Sequence, residues 1–206
     1  MKWGESSNKK WAGGGERCFH KHPPLPIEGH DKVLVYGGNC SNPVVTDADI
    51  YVGLDYGMAT HRQRFPWVEG DAIHYKIEDR YPPDDAKEFL ELIEYLADQA
   101  NGGAKIHIGC IGGHGRTGIV LAAMVALMTD EDDPISYVRK HYCKKAVETP
   151  AQVKFLVKHF GCVTVEGSKP AYSGKAKAAP KVVSMHKQVI RPQKSPNYLW
   201  GTNEVK

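Results

Sequence analysis

No stretch of this 206-residue chain approaches the ~20 consecutive apolar residues that cross a bilayer as a helix. No membrane span is therefore expected. The opening segment, MKWGESSNKKWAGGGERCF, carries basic charge but no apolar core, so it does not read as a secretory signal. Cysteine is sparse. Cys18, Cys40, Cys110, Cys143 and Cys162 are five in number and irregularly spaced, which argues against a disulfide framework and for reduced thiols in a cytoplasm. There is no G-K-[ST] step of the ATP-binding type and no internal repeat. Cys18, His20 and His22 in CFHKH are possible ligands, but without a second cluster no metal is expected.

What is present is ordinary for one globular core: 41% hydrophobic and 25% charged residues. The net charge of +3 is uneven, because residues 165–206 hold eight Lys/Arg against two Asp/Glu, or +6. The rest of the chain therefore sums to −3. A uniformly basic nucleic-acid-coating domain is excluded, and no specific nucleic-acid partner is expected. Composition divides the chain into a loosely ordered lead-in (1–30), a folded domain (31–164) and a flexible Lys/Pro-rich tail (165–206). A monomer is expected.

DKVLVYGG, ADIYVGLDYG and GDAIHYKIED read as strands, the last with Ile73, Tyr75 and Ile77 alternating onto one face. RYPPDD breaks the chain, and Asp84 or Asp85 can cap the helix that follows. Phe89, Leu92, Ile93 and Leu96 then mark an amphipathic helix over 86–100. AKIHIGC is a fourth strand. TGIVLAAMVALMTD is apolar on nearly every side, as a central buried helix would be. DPISYVRKHYCKK and TPAQVKFLVKHFG predict two more helices, each with Pro in its first turn. The order implies an α/β fold: a small central sheet flanked by helices, with a phosphate-binding loop between a strand and a buried helix.

That loop, in HIGCIGGHGRTGIV, supports two readings. Gly113, Gly115 and Gly118 spell the dinucleotide fingerprint G-x-G-x-x-G. A dinucleotide unit needs an acid about 20 residues on at the end of the next strand. That distance falls in TDEDDPIS, between two helices. The second reading starts from Cys110 and Arg116. Ile111, Gly112, Gly113, His114 and Gly115 between them can turn successive N–H groups inward around an anion, at the positive end of a helix. The same field favours a thiolate at Cys110. Arg116 can grip two phosphate oxygens in its planar fork. Thr117 can hydrogen-bond the sulfur as it leaves. In this reading residues 111–116 bind the substrate phosphate.

GCIGGHGRTG is similar to the signature loop of the cysteine-dependent protein tyrosine phosphatases, H-C-x-x-G-x-x-R-[ST]-G. HYKIEDRYPPDD resembles the general-acid loop of their dual-specificity and tensin-homologue branch. VETPAQVKFL resembles that branch's later loop, where a Gln positions water. The resemblance covers roughly residues 48–162. It implies Cys110 as nucleophile, Arg116 as phosphate clamp, Asp79 as acid and base, Thr117 as partner of the leaving sulfur and Gln152 as water positioner. No cofactor is needed. The implied activity is hydrolysis of a phosphorylated protein or small phosphomonoester through a phosphocysteine. Glu78, Asp84 and Asp85 are neighbouring alternatives to Asp79, and the alternative for Gln152 is a solvated first-turn helix residue. Arg62 and Arg64 could line the cleft entrance.

Two positions depart from the family pattern. Gly109 stands where the family has His, with His107 two residues earlier, and Ile111 stands where tensin homologues carry Lys. Competing functions are a non-enzymatic module recognising a phosphorylated partner, a nucleotide-binding protein using the G-x-G-x-x-G run, and a loop thiolate devoted to sulfur transfer or arsenate reduction.

Overall fold

The computed structural model describes residues 22–40, 42–55 and 71–163. Four strands, β1 (Leu34–Asn39), β2 (Ile50–Gly53), β3 (Asp71–His74) and β4 (Lys105–Cys110), form one parallel sheet in the order β1-β4-β2-β3. Four helices are described: α1 (Ala86–Asn101), α2 (Gly115–Met128), α3 (Pro134–His141) and α4 (Pro150–Phe160). The fold is α/β, as expected. Helix α3 follows α2 directly, so no strand stands where the dinucleotide reading requires one.

Local chemistry explains the boundaries. The Asp85 carboxylate caps α1 by accepting from the N–H groups of Lys87 and Glu88. Asp133 caps α3 through Ser136, and Thr149 with Gln152 forms a reciprocal capping box on α4. Strand β3 stops at His74, short of the alternation that runs to Ile77. The chain still follows β2, with the N–H groups of Tyr75 and Ile77 bonded to the carbonyls of Gly53 and Leu54.

Helix α2 is the hub, buried from Gly115 to Val125 and packed against the other three helices and strands β1 and β4. Its all-round apolar sequence is the direct cause, since no face of it can be left to water. Ile106, Ile108 and Cys110 alternate into the shared core with Ile50, Val52 and Leu54. Between them His107 is buried on the other register of β4, its ring 5.9 Å from that of Tyr51. The loop after β4 thus leaves the sheet between β1 and β2, at the carboxyl ends of the strands, and enters α2 at once.

Candidate active site

Cys110 ends β4 and is buried. The backbone N–H of Gly113 donates to its sulfur at 3.2 Å, so the chain folds back over the thiol within one turn. Gly113 has φ +70, and a Cβ there would stand 3.0 Å from the backbone of Gly38. Glycine is needed on both counts. Thr117 turns its hydroxyl to the backbone, accepting from the Cys110 N–H at 3.0 Å and donating to the Gly38 carbonyl at 3.4 Å.

Arg116, on the first turn of α2, reaches across the ends of β2 and β3. Its Nη1 donates to the Leu54 carbonyl, the Ile77 carbonyl and the Asp55 carboxylate, the last at 2.8 Å. Its Nη2 lies 3.1 Å from Oδ1 of Asp79. Burial opposes the guanidinium charge, but Cys110, Asp55 and Asp79 outweigh it and hold the group above its ordinary value. Asp79 itself is two-thirds exposed, as a group serving a substrate from the rim would be.

Gln152 is fully buried rather than solvated. Its Oε1 accepts from the Thr149 N–H and its Nε2 donates to the Tyr81 carbonyl, while its amide lies beside Gly115. Thr149 Oγ1 also donates to the Arg80 carbonyl at 3.0 Å. The turn carrying Asp79 is therefore bonded to the start of α4. Arg80 and Val147 both hold left-handed backbone, at φ 69 and φ 56, a conformation that costs side-chain-bearing residues roughly 1–2 kcal/mol. Each has its carbonyl gripped from outside, Arg80 by Thr149 and Val147 by Arg139. Such outliers concentrate at functional sites.

Ile111 is exposed at the mouth of the loop. The His114 ring is buried, with Nδ1 3.3 Å from Cys143 Sγ. Of the alternatives to Asp79, Asp85 is committed to capping α1 and Glu78 pairs with Lys76. Cys18, His20, Arg62 and Arg64 lie outside the described residues, and the His22 ring packs 4.6 Å from Tyr142. Among the described residues, no three His, Cys, Asp or Glu side chains are grouped to hold a metal ion.

Sequence reasoning missed four groups. Asp55 grips Arg116. Glu148 lies beside Gly115 and accepts from its N–H, and burial pushes its carboxyl above the usual range, aided by Asp79 and opposed by His114. Asn39 donates its side-chain amide to the Ile111 carbonyl. Tyr142 donates its hydroxyl to the Gly113 carbonyl at 2.5 Å. Only LDYG and ETPAQ, adjoining motifs already singled out, held a signal for the first two.

The departure at Gly109 has a steric cause. Beside it the chain leaving β1 crosses so closely that the Cys40 N–H bonds the Cys110 carbonyl at 2.9 Å. A Cβ on residue 109 would stand 2.6 Å from the Cys40 nitrogen and 2.8 Å from its Cα. No side chain fits there without moving that backbone.

No protein-family model matches the chain. A protein of uncharacterised function from Methanocaldococcus jannaschii is 40% identical over 68 residues, 33% of this chain and 46% of that protein. A protein of Invertebrate iridescent virus 6, provisionally named a tyrosine phosphatase, is 26% identical over 157 residues, 71% of this chain and 58% of its own. The chain thus spans about half the length of these curated relatives. Among solved structures, that of Tk-PTP in its active form superposes with a TM-score of 0.50 at 26% identity, covering 57% of this chain and 81% of that one.

Proposed function

We propose, from its place in the cysteine-dependent protein tyrosine phosphatase superfamily, that this chain hydrolyses phosphate monoesters through a phosphocysteine, in the manner of the dual-specificity branch. One observation carries the reading. The Cys110 sulfur sits under a loop amide at the N-terminus of α2, and Arg116 on that helix's first turn is paired with Asp79.

In the first step the Cys110 thiolate attacks phosphorus, forming an S–P bond as the ester P–O bond breaks. The phosphate displaces Asp79 from Arg116 Nη2, and Asp79, as the carboxylic acid, gives its proton to the departing oxygen. In the second step a water oriented by Gln152 attacks phosphorus and yields its proton to Asp79. The S–P bond electrons return to sulfur as the thiolate, to which the Thr117 hydroxyl can donate a hydrogen bond once turned from Gly38. Loop residues 111–116 hold the equatorial oxygens through backbone N–H groups and the Arg116 guanidinium.

The substrate is a phosphorylated protein or small phosphomonoester, residues 31–164 form the catalytic unit, and the chain works as a monomer. The setting is the cytoplasm, since the chemistry needs a reduced thiol at Cys110. The test is hydrolysis of an aryl phosphate by wild type, Cys110→Ser and Asp79→Ala. Activity should vanish with Cys110→Ser and fall steeply with Asp79→Ala. Equal turnover by wild type and Cys110→Ser would end the proposal.

A further inference from the structure

We infer that Asn39 and Tyr142 are positioning residues that set the anion-binding face of the loop by holding two of its peptide units from behind. The inference rests on the phosphatase reading above, because it concerns the same loop.

The argument starts from the peptide bond. In a trans peptide the carbonyl of one residue and the N–H of the next point in opposite directions, and the described residues contain no cis bond. The side-chain amide of Asn39 takes the Ile111 carbonyl. The N–H of Gly112 is thereby aimed away from Asn39. The Tyr142 hydroxyl takes the Gly113 carbonyl at 2.5 Å, which aims the His114 N–H away from Tyr142. Between these two units the Gly113 N–H points at the Cys110 sulfur.

A glycine-rich loop has little stiffness of its own, and Gly112, Gly113 and Gly115 could otherwise rotate their peptides freely. Both holding groups are themselves fixed. Asn39 is buried at the end of β1, in register with Cys110, and its Oδ1 accepts from the Asn42 N–H at 3.0 Å. Tyr142 is buried just beyond α3 with its ring on Gly37, where a Cβ would stand 2.7 Å from the ring. Each amide is thus oriented from a different element, one strand and one helix end. Preorganised donors of this kind exert their effect because they need no rearrangement when charge arrives.

The full-length protein is titrated with inorganic phosphate while backbone N–H resonances are followed, for wild type, Asn39→Ala and Tyr142→Phe. Phosphate should shift Gly112 and His114 strongly in wild type. Asn39→Ala should lose mainly the Gly112 shift, and Tyr142→Phe mainly the His114 shift. Each variant should bind phosphate about tenfold more weakly, or ~1.4 kcal/mol, with kcat/KM for an aryl phosphate falling in parallel. Tyr142→Phe keeps the ring on Gly37, so it stands as the folded test if Asn39→Ala does not fold. Wild-type phosphate affinity and wild-type amide shifts in Tyr142→Phe would overturn the inference while leaving the phosphatase reading intact. A wild-type protein whose loop amides ignore phosphate, with turnover unaffected by Cys110→Ser, would overturn that reading and the inference with it.

Discussion

Asp79 and Arg116 hold one another across 3.1 Å, the carboxylate exposed at the rim and the guanidinium buried beneath it. The proposed proton donor therefore competes with the substrate phosphate for the same nitrogen. Asp79→Ala should separate the two roles. Removing an exposed partner is worth under about 1 kcal/mol, so inorganic phosphate should bind a few times more tightly, as calorimetry would show. Turnover should nevertheless fall by about 10²–10⁴, and further on alkyl than on aryl phosphates, whose better leaving groups need less protonation.

Asp55 holds Arg116 from the other side and is largely buried. Asp55→Ala leaves the buried guanidinium with a weaker set of partners. A loss of about 2 kcal/mol in urea denaturation is expected. Arg116 should also sit less firmly, raising KM for aryl phosphate more than it lowers kcat. Arg116→Lys should fare worse, since an ammonium cannot reproduce the fork that spans Asp55, Ile77 and a phosphate.

His107 contributes a pH dependence to folding. Burial lowers its pKa from 6.5 to about 4, while its Nε2 accepts from the Val44 N–H at 3.3 Å. The unfolded chain therefore binds the proton more readily than the folded one between those values. This contribution is complete above about pH 6.5 and drains away as pH falls toward 4, with a slope approaching ~1.4 kcal/mol per pH unit. Replacing the imidazole in His107→Phe should flatten that acid limb in melting experiments. It should also lower stability at pH 7, because the Val44 N–H loses its acceptor.

Gly109→Ala places a methyl group 2.6 Å from the Cys40 nitrogen. Overpacking against backbone costs about 1–3 kcal/mol, measurable as a drop in Tm. Because the displaced strand end also carries Asn39, phosphate affinity should fall in the same variant.

The sheet and its helices were legible because their signals are local. The period of Phe89, Leu92, Ile93 and Leu96, the carboxylate of Asp85 and the apolar run of α2 each need only neighbours in sequence. The Cys110–Arg116 loop was legible for the same reason. Asp55 was not, because nothing in LDYG says that a guanidinium 61 positions later will arrive beside it. Asn39 and Tyr142 lie 72 and 29 residues from the carbonyls they hold, and their roles exist only once β1 pairs with β4 and α3 has packed on α2. The reason for Gly109 belongs to the same class: the sequence around Cys110 contains the glycine, and the crossing backbone that demands it comes from residues 39–40. Gln152 read equally well as a surface helix residue until the turn at Tyr81 covered it.

The bonds from Thr149 to Arg80 and from Gln152 to Tyr81 have a mechanical meaning. In the proposed cycle one tethered turn brings the acid for the first step and its partner helix brings the amide for the second. The two are geared together. A backbone motion of the turn that carries Asp79 must drag the start of α4 with it or break both links, so in the proposed cycle the place of the acid and the place of the Gln152 amide change together.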